Sequence, residues 1–141
     1  MTEQLIDEGI DYLQQGDFPS AIERFDAVLQ TEQLPEVLYY RGVAHDMAGE
    51  SEKALADLNL SLELEPLNSR ALFSRSVVHR SRESWSLALD DVSRAHQLDP
   101  DDYRCANAYA QMLLHTPVEK QRDPERAEEV ALEACKQTEF Q

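Results

Sequence analysis

Residues Leu38 to Pro66 read LYYRGVAHDMAGESEKALADLNLSLELEP, and Leu72 to Pro100 read LFSRSVVHRSRESWSLALDDVSRAHQLDP. The two stretches are in register at a shift of 34 residues. Leu38, Gly42 and His45 answer to Leu72, Ser76 and His79. Ala54, Leu58, Ser61, Leu62 and Pro66 answer to Ala88, Val92, Ala95, His96 and Pro100. Leu5, Gly9, Tyr12, Gly16, Ala21, Phe25, Val28 and Leu29 fit the same frame 33 residues earlier. Each copy carries two helical patterns separated by a break such as Gly49. A period in this range predicts a stack of helix–turn–helix units.

Gly9, Tyr12, Ala21 and Phe25, then Gly42, Ala54 and Pro66, then Ala88, Ala95 and Pro100, carry a resemblance to the tetratricopeptide repeats (TPR). The resemblance covers residues 2 to 100 and, with divergence, a fourth unit. It implies an all-α fold, a right-handed α-α superhelix of about four antiparallel helix pairs. The domain expected is 1–141, with repeats at about 2–34, 35–68, 69–102 and a divergent cap at 103–138. The last unit resembles the closing repeat of some bacterial members, and a stack of repeats needs such a cap. The function implied is protein–protein interaction.

Composition narrows the function independently. The chain has 141 residues and a net charge of −15, with 42% apolar residues, only 4 Gly and 6 Pro. That is a folding composition rather than a disordered one. The charge opposes nucleic acid, whose phosphates need a basic patch, and opposes anionic membrane surfaces. It is uneven: residues 1–68 hold 3 Lys/Arg against 15 Asp/Glu, residues 69–141 hold 10 against 13. The start, MTEQLIDEG, is acidic and lacks the apolar run of a secretory leader. No stretch reaches the ~20 apolar residues of a membrane span. Cys105 and Cys135 have no metal-like spacing and read as reduced thiols, so the compartment expected is cytoplasmic.

The helices expected are about 2–15, capped by Thr2, then 18–31, 36–48, 51–64, 69–82, 85–98 and 103–115, with a last one starting at Asp123-Pro124. The turn Arg82-Glu83-Ser84 lacks the glycine of the first two units and is expected to be tighter or more helical. Residues 115–123 form a loop about five residues longer than its counterparts. An aspartate of the 99–102 segment should cap the helix that follows.

Small residues recur at one place on the first helices, Gly9, Gly42, Ser76 and Ala110, and at another on the second, Ala21, Ala54, Ala88 and Ala127. Glycine in mid-helix costs about 1 kcal/mol relative to alanine, so the pattern predicts close helix crossings. Glu8 and Arg24, Arg41 and Asp57, and Arg75 and Asp91 are each sixteen apart with opposite signs, the first reversed. These read as ion pairs that fix the register of each helix pair. His45 and His79 take the place of Tyr12 and read as packed, hydrogen-bonded residues rather than metal ligands. No HExxH pair, Cys/His cluster, activated nucleophile or phosphate loop occurs. No catalytic residue, cofactor or metal site is therefore expected.

A second apolar face on the first helices carries the binding expectation. Ile6 and Ile10, then Tyr39, Tyr40, Val43 and Met47, then Phe73 and Val77, lie beside the packing face. One face must pack on the partner helix. In TPR stacks the remainder lines a concave groove, and tyrosine suits such half-wet surfaces. Arg70, Arg80 and Arg104 fall on the same faces farther along. The partner expected is a protein or peptide with apolar and acidic segments. Self-association through the groove face or the C-terminal helix is the alternative. TPR domains that grip acidic chaperone tails use Lys, Asn, Asn, Lys and Arg, where this sequence has Ile6, Ile10, Tyr40, Arg70 and Ser74. Only Arg70 fits, so such tails are not the expected ligand.

Overall fold

A computed structural model describes residues 1–139. The last two residues of the expected 1–141 domain lie outside them. Eight α-helices follow one another: α1 Thr2–Gln15, α2 Phe18–Leu29, α3 Pro35–Met47, α4 Ser51–Leu64, α5 Ser69–Ser81, α6 Trp85–Leu98, α7 Tyr103–His115 and α8 Pro124–Glu139. A single 3₁₀ turn, Glu119–Gln121, interrupts the long loop before α8. The chain falls into two compact units, Met1–Pro66 and Leu67–Gln141. The first holds the pairs α1/α2 and α3/α4, and the second holds α5/α6 and α7/α8.

The helix starts follow local chemistry. The Ser20 amide donates to the Asp17 carboxylate, Ala71 to the Asn68 side chain, Cys105 to Asp102, and Arg126 to Asp123, each satisfying an amide that the helix leaves unpaired. Pro35 opens α3, where a missing N–H is harmless. Thr2 does not cap: it is already helical, and Met1 holds the cap position without a side-chain bond. The second helix ends at Leu29, two residues before the expected point.

Within each pair the turn closes through one repeated bond. The Asp17 amide donates to the Tyr12 carbonyl at 2.9 Å, Glu50 to His45 at 2.8 Å and Ser84 to His79 at 2.8 Å. In so short a turn this bond requires a left-handed residue just before the donor. Gly16 and Gly49 supply it with φ near 83° and 84°. Glu83 supplies it in the third pair with φ of 62°. That turn is therefore the same turn, held by a residue that resists the conformation, and not a tighter or more helical one. The fourth pair, with its longer loop, reaches the equivalent bond without a left-handed residue, since Arg122 before the donor has φ of −69°. Asp123 donates to the Leu113 carbonyl at 3.0 Å, while the Arg122 guanidinium donates to the Thr116 carbonyl at 2.7 Å inside the loop.

In the first unit Ala21, Phe25, Val28 and Val37 form a buried cluster on which Leu5, Tyr12 and Leu34 pack. A side chain at Gly9 would run into the Phe25 ring, with its Cζ 2.8 Å from the new Cβ. At Gly42 a Cβ would sit 3.0 Å from Leu58 Cγ and 3.4 Å from the Ala54 carbonyl oxygen. The close crossings expected from the small residues are thus present. The buried Ser61 hydroxyl donates to the Pro35 carbonyl at 2.9 Å, tying α4 to the start of α3. In the second unit Ala88, Val92, Ala106, Ala110, Ala127 and Val130 are buried. Burial pushes the Cys105 thiol up to about 12, so it stays protonated and inert.

Candidate partner-binding faces

Each internal pair is locked by the charges that the spacing of sixteen singled out. The Arg24 guanidinium donates to Glu8 at 2.9 Å. Arg41 donates to both oxygens of Asp57 at 2.8 and 2.7 Å, and Arg75 to both oxygens of Asp91 at 2.7 Å. The last two bonds are bidentate and hold nearly buried carboxylates, with Asp57 and Asp91 side chains 8% and 6% exposed. His45 and His79 complete these clusters, each with Nε2 3.8 Å from the aspartate. In the first pair Tyr12 stands where those histidines stand, and Arg24 lies over its ring at 5.4 Å. In the closing pair Tyr109 and Val130 replace the charged partners.

His45 Nδ1 lies 3.3 Å from Glu50. Burial holds the His79 imidazole below its usual range, against the opposing pull of Asp91. Both histidines serve the helix pairing. Among the described residues no group of three or more His, Cys, Asp or Glu is placed to hold a metal ion. No described helix is long and apolar enough to cross a membrane.

The apolar candidates divide by what they touch. Ile6, Ile10 and Tyr40 pack against the first unit's buried cluster, and Tyr40 stacks on Phe25 with ring centroids 6.1 Å apart. These three divide their surface between core and solvent. Tyr39 meets Tyr40 edge-on at 5.1 Å and is half-buried, as is Val43, while Met47 is 58% exposed. In the second unit Phe73 and Val77 are half-buried on α5.

The arginine candidates fall at two places rather than one. Arg70 and Arg104 line one cleft with Tyr103, Asp99, Asp101 and Asp102, so three carboxylates face two guanidinium groups there. Arg80 lies at the other end of α5, in a recess that it lines with Trp85, Gln111, Met112 and His115. The sequence pattern had not drawn attention to this recess. Its one available signal is that Trp85 is the only tryptophan in the chain.

Paired helices that repeat one turn bond, one small-residue crossing and one charge lock at a fixed period define a helical-repeat protein of the kind that works by binding other proteins. Residues 6–65 match the tetratricopeptide repeat family model. The chain thus carries tetratricopeptide repeats within residues 6–65, and its solved structural neighbours share the fold of a tetratricopeptide repeat solenoid. It is 29% identical over 90 residues to Tetratricopeptide repeat protein 6 of Homo sapiens, a match covering 64% of this chain and 17% of that protein. The curated relatives it matches are much longer, and the chain spans between 12% and 25% of their length. The solved structure of MamA 41-end from Desulfovibrio magneticus RS-1 superposes over 100% of this chain and 77% of its own, with a TM-score of 0.82 at 21% identity. The first TPR of Spaghetti (RPAP3), solved bound to the HSP90 peptide SRMEEVD, superposes over 79% of this chain and 89% of its own, with a TM-score of 0.75 at 20% identity. At these identities the likeness is one of fold.

Proposed function

We propose that the protein binds a segment of a partner protein on the first helices of its pairs. In the first unit the contact surface is Ile6 and Ile10 on α1 with Tyr39, Tyr40, Val43 and Met47 on α3. In the second unit it is Phe73, Val77 and Arg80 on α5, with Arg70 and Arg104 as charged neighbours. The observation that carries the reading is the apolar surface left over on α3. Leu38, Gly42 and His45 fill the packing face and are buried, yet Tyr39, Val43 and Met47 keep part of their surface in water. Apolar and aromatic side chains kept half-wet beside a rigid core suit recognition.

The partner segment is apolar with an acidic portion. Apolar burial supplies most of the affinity, at roughly 25 cal/mol per Å² before ordering costs. The arginines set orientation and association rate. Tyr39→Ala tests the reading better than Tyr40→Ala, because Tyr40 also packs on the core. Tyr39→Ala should leave the unfolding midpoint nearly unchanged and speed dissociation of the partner. Unchanged affinity would remove α3 from the binding surface. Light scattering over a concentration series separates a second copy from a different partner: a mass that doubles with concentration, and returns to the monomer with Tyr39→Ala, assigns the same face to self-association.

A further inference from the structure

We propose that the recess at the α5–α6 turn, lined by Arg80, Trp85, Gln111, Met112 and His115, receives a carboxylate side chain of the partner segment with an apolar side chain next to it. The proposal rests on the interaction reading above and assigns it a specific acceptor site.

Positive charge is spent differently in the two units. The first unit has three cationic side chains, Arg24, Arg41 and Lys53, and all three are paired, with Glu8 at 2.9 Å, Asp57 at 2.7 Å and Glu50 at 3.0 Å. No other cationic side chain is left there to meet an acidic ligand. In the second unit Arg80 is exposed and makes no ion pair among the described residues. The recess around it has a volume of about 350 Å³, a size fit for one or two side chains. Its lining has no carboxylate, whereas the cleft at Arg70 and Arg104 has three and the groove beside Leu38 and Leu60 has Asp26. In a chain of net charge −15, a recess free of acids is where an anion is not repelled.

The other lining groups add selectivity. The guanidinium of Arg80 offers a forked donor matched to a carboxylate. The Gln111 amide and the His115 ring can donate beside it. The half-buried Trp85 and the buried Met112, only 1% exposed, give an apolar wall for the neighbouring side chain. The Ser86 hydroxyl donates to Gln121 at 3.3 Å, linking the start of α6 to the long loop beside the recess. None of the five positions matched to the chaperone-tail clamp, Ile6, Ile10, Tyr40, Arg70 and Ser74, lines this recess.

Trp85 is the sole tryptophan, so its emission reports the recess directly. The probe is a capped five-residue peptide that alternates leucine or phenylalanine with two glutamates. Glutamine and lysine versions serve as controls. The glutamate peptide should shift Trp85 emission saturably, and the glutamine peptide should bind about tenfold more weakly. Arg80→Gln should lose a similar factor, and Arg80→Glu should prefer the lysine peptide. Arg80 is exposed and outside the core, so these variants should unfold where the parent does. Absence of a saturable Trp85 response, or equal binding by the parent and Arg80→Glu, overturns the proposal. Tyr39 lies in the other unit, so the peptide tests the recess and the partner's response to Tyr39→Ala tests the α3 face. If Arg80→Gln leaves the peptide's affinity unchanged, the recess falls, whatever Tyr39→Ala does to the partner. If Arg80→Gln weakens the peptide while Tyr39→Ala leaves the partner's affinity unchanged, the recess stands and the α3 face falls.

Discussion

The Arg75 guanidinium meets both oxygens of Asp91 at 2.7 Å, with that aspartate 6% exposed. Arg41 holds Asp57 in the same way one pair earlier. Removing one partner of a buried pair leaves a bare charge in a poorly solvated place. Arg75→Ala should therefore cost about 3–5 kcal/mol of folding stability. Replacing both, with Arg75→Met and Asp91→Leu, should cost far less, because the closing pair already does without the charges at Tyr109 and Val130. Urea unfolding of the double-mutant cycle measures the coupling. A loss below 1 kcal/mol for Arg75→Ala would mean that the lock sets register without supporting stability.

Glu83→Gly should stabilise the protein. Glu83 sits at φ of 62° in a turn where Gly16 and Gly49 serve the other pairs. An L-residue there is strained by roughly 1–2 kcal/mol, and glycine returns about 0.5–1 kcal/mol of that through its freer unfolded chain. The net gain expected is about 0.5–1 kcal/mol. A thermal melt should rise by roughly 2 °C. A lower melting temperature would contradict the turn geometry.

Ala54→Leu and Gly9→Ala should both destabilise. At the first, added bulk enters the crossing where Gly42, Ala54 and Leu58 already touch, and overpacking costs about 1–3 kcal/mol. At the second, helix propensity alone favours alanine by about 1 kcal/mol, but its Cβ would collide with the buried Phe25 ring. The sign of the Gly9→Ala change decides between the two effects. A melt within a degree of the parent for Ala54→Leu would sink the close-crossing account.

Stability should fall in mild acid, and His96→Leu should reduce that fall. His96 is 5% exposed and its Nδ1 has no hydrogen-bond partner. The Tyr109 ring on α7 lies tilted against it with centroids 5.6 Å apart, and Arg126 and Glu133 on α8 face the ring. Burial, aided by Arg126 and opposed by Glu133, holds its imidazole below the usual 6.5. A group whose folded value is depressed takes up its proton first in the unfolded chain. Its burden on stability is absent above the unfolded value of 6.5 and grows as pH drops from there toward the folded value. His79, depressed mainly by burial, acts in the same direction. Leu29 and Leu62 occupy the equivalent site, so leucine fits the frame. His96→Leu should gain about 1–3 kcal/mol by removing an unpaired buried polar atom. A pH profile as steep as the parent's between pH 7.5 and 5.5 would clear His96 of the effect.

Much of this fold is legible in the chain because each repeat states the same rule again. The small residues at Gly9 and Gly42 and the charges sixteen apart gain meaning only from recurrence, and all three pairs are in contact in the structure. The sequence could not show how deeply Asp57 and Asp91 are buried, which moves their pairs from surface decoration to structural locks. It also misled at Arg82–Ser84, where the missing glycine hid a turn that the hydrogen-bond pattern still demands. The candidate faces were less legible. Helical spacing cannot tell that Tyr40 leans on Phe25 whereas Met47 does not share that cluster. Nor can it separate Arg80 from Arg70 and Arg104, because the aspartates at 99–102 and the ring of Trp85 reach their clefts only through folding.

The central claim, that a partner docks on the first helices, is tested most directly by photo-crosslinking in cells. A benzophenone amino acid placed at Val43 on α3 or Val77 on α5 samples the proposed face, and the same group at Glu63 on α4 or Asp90 on α6 samples exposed second-helix positions. Adducts with another protein should form from Val43 and Val77 and not from Glu63 or Asp90. Adducts from Glu63 and Asp90 alone would contradict the account.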